Sequence, residues 1–132
     1  MTVAPSRLSL WAPVGACMAL IFWLSSMSSP PSPGPINDKV LHFAAYGGLA
    51  TLCLRATSGG RLAGLTPRAA VLAWLLATGY GVTDEVHQRL VPFRTADVAD
   101  LAADALGAAA AAVGGLGASG IIARSRGALP PR

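Results

Sequence analysis

The residues able to do chemistry fall into three short stretches. Asp38, Lys39, His42 and Tyr46 form the first, and the i, i+4, i+8 spacing of Asp38, His42 and Tyr46 places them on one helix face. Tyr80, Asp84, His87 and Gln88 form the second, with Glu85 beside them. Asp97, Asp100, Asp104 and Gly107 form the third, and Arg94 lies in the link between the last two. All six acids and both histidines belong to these stretches. A guanidinium, an ammonium and an imidazole suit a phosphate, with carboxylates to orient them. A histidine oriented by a carboxylate suits acid–base catalysis, with His42 or His87 as base and Asp84 or Asp100 as its partner. His42, His87 and two carboxylates would make a metal set, but no HExxH or CxxC spacing supports one, so neither metal nor cofactor is expected.

The elements that must position these groups are apolar. Of 132 residues 53% are hydrophobic and 12% charged, where an ordinary soluble domain carries about 25% charge. That balance excludes a disordered chain and argues for a membrane protein. The ten basic residues are scattered singly, which excludes a groove tracking nucleic acid. Four spans are expected: Leu8 to about Met27, Asp38 to Leu54, Ala69 to about Gln88, and Asp97 to about Ala123. The first and last reach the ~20 residues that cross a bilayer; the middle two do so only with their polar ends included. A proline-rich connector (30–35) follows the first span. Val14-Gly15-Ala16-Cys17 has the look of a lipoprotein box, but the longest apolar run follows the cysteine, so the segment is read as retained. Cys17 and Cys53 read as small buried hydrophobes.

Four spans segregate the charge. Arg7, Arg55, Arg61, Arg68, Arg124, Arg126 and Arg132 fall on one side with no acid among them. Every acid and both histidines fall on the other. Basic residues mark the cytoplasmic face, so both termini are expected inside and the polar stripes outside. The structural reading of the stripes is a set of helix caps (Asp38, Asp97), interfacial tyrosines and an Arg–Asp brace. A carboxylate one or two turns into a span, such as Asp100 or Asp104, costs about 2.5–3.5 kcal/mol and needs a partner. Small residues at Gly47-Gly48, Gly79, Gly81 and Gly107 to Gly117 should let the helices pack closely. The alanine-rich fourth span is expected at the centre, and such smooth surfaces suit a homodimer.

Asp38-Lys39-x-x-His42-x-x-x-Tyr46, then Asp84-Glu85-x-x-Gln88, Val91-Pro92-x-Arg94, Asp97, Asp100 and Gly107, resemble the signatures of the VanZ-like family of bacterial membrane proteins. The resemblance covers residues 37 to about 115. It implies a multi-span inner-membrane protein and a site made of Asp38, Lys39, His42, Tyr46, Asp84, Glu85, Gln88, Arg94, Asp97 and Asp100. The family takes its name from a protein linked to glycopeptide (teicoplanin) resistance. Phe93 stands where the family often has glycine, and Asp104 where it often has asparagine. The expected architecture is all-α, a membrane-embedded bundle of four transmembrane helices in one domain (1–132), with a flexible tail over 124–132.

Three functions compete. The outer cluster binds the headgroup of a membrane lipid or a lipid-linked envelope precursor; or it is an enzyme site acting on an envelope substrate; or it is part of a transport path. The inner halves of all four spans are apolar, which makes a pocket rather than a channel. Gly117-Ala118-Ser119-Gly120 resembles an intramembrane protease GxSG, but it sits at the wrong end with no histidine after it. The leading expectation is headgroup binding.

Overall fold

The computed structural model describes residues 4–31, 34 and 36–127. Four helices run in chain order: α1 (Arg7–Ser25), α2 (Asp38–Thr57), α3 (Pro67–Gln88) and α4 (Val98–Gly127), with no strand among the described residues. Each start has a local cause. Ser6 caps α1 by accepting from Ser9 N, Asn37 caps α2 by accepting from Lys39 N, and Thr66 caps α3 by accepting from Ala69 N. Pro67 occupies the first turn of α3, where its missing N–H costs nothing. At α4 the cap is Asp97, whose Oδ1 accepts from Ala99 N. Asp38, expected as a cap, is instead the first helical residue of α2.

Helix α2 continues past Arg55 to Thr57, and α4 past Ala123 to Gly127. A charge ends an apolar run but does not end a helix, because arginine is a good helix former. Ser32, Pro33 and Pro35 of the connector, Arg132 and the expected flexible tail beyond 127 lie outside the described residues, as does the side chain of Arg126. At 1.5 Å per residue the first three helices are about 28–33 Å long and α4 about 45 Å. Helices α1 and α4 are each long and apolar enough to cross a membrane.

The helices alternate in direction. Helices α2 and α3 each pack against all the others, whereas α4 packs against α2 and α3 and does not reach α1. The expected central place of α4 therefore falls to α2 and α3. What the small residues of α4 secure is intimacy with α2. Gly47 and Gly107 meet at the crossing: a Cβ on Gly47 would lie 3.3 Å from the Gly107 carbonyl oxygen, and one on Gly107 would overlap the Phe43 carbonyl. Gly48, Gly79, Gly114 and Gly117 face open space instead.

Pro13 inside α1 cannot donate to Ser9, four residues back. Arg55 Nη1 donates to the Ser9 carbonyl oxygen at 3.0 Å and stitches α1 to α2 at the basic end. At the same end Ser119 Oγ accepts from both Gly64 N and Leu65 N at 3.1 Å. The serine of the GxSG match is thus a loop anchor.

The core consists largely of Leu49, Ala50, Cys53, Ala73, Ala77 and Ala108, all fully buried. Large apolar side chains point outward on every helix: Trp11 and Trp23 on α1, Phe43 on α2, Leu75 and Val86 on α3, Leu106 and Ile121 on α4. A core this rich in alanine, with so many large apolar side chains outside, is the reverse of a water-soluble bundle.

Candidate functional site

The acidic ends of α2, α3 and α4 converge with the 89–97 link. The first and third stripes meet there with Asp84, Glu85 and Gln88 of the second, at the end opposite Arg55 and Ser119, whereas Tyr80 and His87 of the second turn toward α1 and the residues after it. Tyr46 is the innermost member, 1% exposed, its ring parallel to that of His42 with centroids 6.3 Å apart. It is a core residue and not an interfacial aromatic. Tyr80 donates its hydroxyl to the Met18 carbonyl oxygen at 2.7 Å and fixes α1 to α3.

Helices α2 and α4 are joined by two cation–carboxylate contacts. Lys39 Nζ bonds Asp97 Oδ2 at 2.7 Å and also Asp100 Oδ1. That ammonium, with the Ala99 N–H behind it, holds the half-exposed Asp97 carboxyl below the usual carboxylate range. One turn deeper, His42 Nδ1 lies 2.9 Å from Asp104 Oδ1, while its Nε2 lies 3.9 Å from Asp100 Oδ2. Asp104 is 0% exposed. The carboxylate that orients His42 is therefore Asp104, with Asp100 on the far side of the ring. An i, i+4 rule cannot find such a partner, because it comes from another helix.

A second chain of bonds links α3 to the turn. Asp84 Oδ2 accepts from Gln88 Nε2 at 3.0 Å, and Gln88 Oε1 accepts from Arg94 Nη2 at 2.8 Å. Glu85 Oε2 accepts from the Asp97 N–H at 2.9 Å, tying α3 to the start of α4. The turn itself explains the glycine of the family pattern. Arg94 N donates to Val91 O, Pro92 follows Val91, and Phe93 has φ +63°. A type II turn takes proline second and a left-handed residue, usually glycine, third. Phe93 holds the left-handed position with its side chain 96% exposed.

His87 is not part of this assembly. Its Nε2 is 3.0 Å from Ser26 Oγ and its ring packs on Phe22 of α1. Its i+3 step from Asp84 turns it to a different helix, so a site using both histidines does not form. Ligand atoms do gather in two other sets, each within 4.8 Å of one another: Asp38, His42 and Asp100; and His42, Glu85 and Asp104.

Several buried polar atoms of the cluster have no hydrogen-bond partner among the described residues: Tyr46 Oη, Asp84 Oδ1, Glu85 Oε1, Asp104 Oδ2 and Arg94 Nε. Two openings lie over the cluster and reach Asp84 and Arg94 of this group, while Tyr46, Glu85 and Asp104 lie beneath them. A cleft of about 140 Å³ is walled by Ile21, Leu24, Leu41 and Ala45 and floored by Asp38, His42, Asp84, Gln88 and Arg94. A second of about 270 Å³ is lined by Lys39, Thr95, Asp97 and Asp100 and shares Asp38, Gln88 and Arg94 with the first. Arg94 is the one basic residue common to both. Among the described residues it forms no ion pair, although six carboxylates lie in and around the cluster.

Comparison with known proteins bears on this arrangement. The family described as VanZ/LLP1 matches residues 21–116. No curated protein and no solved structure matches the chain.

Proposed function

The chain belongs to the VanZ/LLP1 family and is a membrane protein, and from that premise we propose that its polar cluster captures the anionic headgroup of a cell-envelope lipid or lipid-linked precursor. The observation that carries this reading is the state of Arg94. Lys39 is consumed by Asp97 and Asp100, but among the described residues the Arg94 guanidinium makes only one side-chain bond, to the neutral Gln88. A half-buried guanidinium with spare donors suits a phosphate, which it can grip with two parallel bonds. It stands between an apolar-walled cleft and a polar one, the division that an acyl or isoprenoid chain and its headgroup require.

In this reading all four helices cross the bacterial inner membrane. The outward apolar side chains of α2 and α3 meet lipid, and the basic end, with both termini, faces the cytoplasm. Any glycopeptide phenotype would follow from the headgroup that is held. The test is native mass spectrometry of the wild type and Arg94→Ala, purified in the same mild detergent. The expected result is a phosphate-bearing lipid on the wild type that is absent or strongly depleted on the variant. Lipid-free spectra from both, or equal lipid on both, would contradict the reading.

A second reading has its own observation. With Nδ1 against Asp104, His42 lines the cleft and its Nε2 makes no hydrogen bond among the described residues, as a base requires, which favours an enzyme acting on the bound headgroup. Release of inorganic phosphate from a polyprenyl diphosphate, lost in His42→Gln, would favour this reading over simple binding.

A further inference from the structure

The headgroup reading uses Arg94 and the two clefts and leaves the deeper acids unexplained. Glu85 and Asp104 are 6% and 0% exposed. Each keeps one oxygen, Glu85 Oε1 and Asp104 Oδ2, that is buried and without a partner. Their other oxygens are held by one backbone N–H, from Asp97, and by the imidazole of His42. Neither acid touches Lys39 or Arg94 among the described contacts. With both carboxylates ionised and the imidazole neutral the group would carry −2, which a dry site holds only when protons or a cation balance it.

We propose that His42, Glu85 and Asp104 bind a divalent transition-metal ion of the zinc or manganese class. Their ligand atoms already lie within 4.8 Å of one another. Ligands at about 2.0–2.2 Å from one zinc are roughly 3–4 Å apart, so small rotamer adjustments close the set. The 2.9 Å between His42 Nδ1 and Asp104 Oδ1 is a hydrogen-bond length, so this pair would part by a few tenths of an ångström to admit the ion. One imidazole with two carboxylates suits zinc or manganese, and a divalent charge balances the −2. Two further unpartnered atoms, Asp84 Oδ1 and the Tyr46 hydroxyl, belong to the same buried region and can hold a metal-bound water. The alternative set, Asp38, His42 and Asp100, is less suited: Asp38 is exposed and Asp100 is already held by Lys39. The polar cleft adjoins the site through Asp100, which lines it and whose Oδ2 lies 3.9 Å from His42 Nε2. This assignment stands apart from lipid capture, since it needs neither Arg94 nor the apolar cleft.

The test titrates metal-stripped full-length protein in detergent with Zn²⁺, Mn²⁺ and, as a spectroscopic probe, Co²⁺. The expected result is saturation at one equivalent for the wild type, with affinity at least 100-fold weaker in Glu85→Gln and Asp104→Asn, while far-UV circular dichroism shows the helices intact. Absence of saturable binding to the wild type would overturn the site. So would saturable binding that both folded variants retain. If neither variant folds, X-ray absorption of the metal-loaded wild type decides: an imidazole among oxygen ligands is the expected shell, and an all-oxygen shell overturns the assignment. Retained lipid with no metal would remove this inference and leave the headgroup reading in place; metal without lipid would do the reverse.

Discussion

Replacing His42 by leucine should expose how Asp104 is kept inside the bundle. The carboxylate is fully buried, its Oδ1 has the imidazole as sole partner at 2.9 Å, and its Oδ2 has none. Removing the imidazole leaves a buried acid with no partner, a change that costs about 3–5 kcal/mol. Asp104→Leu alone leaves an imidazole that is still close to Asp100 and should cost less. The double variant replaces both groups with apolar ones, so it should be more stable than His42→Leu alone. The coupling energy of the pair should fall at about 1.5–3 kcal/mol, the range of a hydrogen bond to a charged group. Reversible unfolding in mixed micelles, followed by circular dichroism with chelator present, measures all four corners of the cycle. Additivity within about 0.5 kcal/mol would refute the contact as the reason Asp104 is tolerated.

Other consequences are local. Gly107→Ala places a Cβ 2.9 Å from the Phe43 carbonyl carbon, which cannot yield without parting α2 from α4, so about 1–3 kcal/mol should be lost in the same unfolding assay. Phe93→Gly should raise stability by about 1 kcal/mol, since a left-handed non-glycine residue costs about 1–2 kcal/mol and the exposed ring packs on little. On intact bacteria a membrane-impermeant maleimide should label Thr95→Cys and spare Arg61→Cys; the opposite pattern would invert the proposed topology.

The four helices were legible because long apolar runs separated by proline, glycine and charge admit few other readings. Their ends were less so. Arg55 and Arg124 closed the apolar runs yet sit inside α2 and α4, since charge and helix termination are separate properties. Convergence of the stripes was legible from the spacing of Asp38, His42 and Tyr46 and of Asp97, Asp100 and Asp104. The pairing within the cluster was not. His42 finds Asp104 rather than Asp84 or Asp100, and His87 turns away to Ser26, because helix rotation about its axis decides both and is set by packing at Gly47, Gly81 and Gly107. Gly81 carries the clearest case. A Cβ there would sit 2.8 Å from Asp104 Oδ2, so the depth at which Asp104 is held depends on a hydrogen atom in α3.

Headgroup capture requires that Arg94 take an anion at the mouth of the bundle. The direct measurement is the affinity of the protein in nanodiscs for a long-chain polyprenyl phosphate, against the same chain ending in an alcohol. The wild type should prefer the phosphate and Arg94→Ala should erase the preference, a loss of at least about tenfold for a charge-assisted bond of about 1.5–3 kcal/mol. Equal affinity for phosphate and alcohol, or a preference unchanged in Arg94→Ala, would contradict headgroup capture.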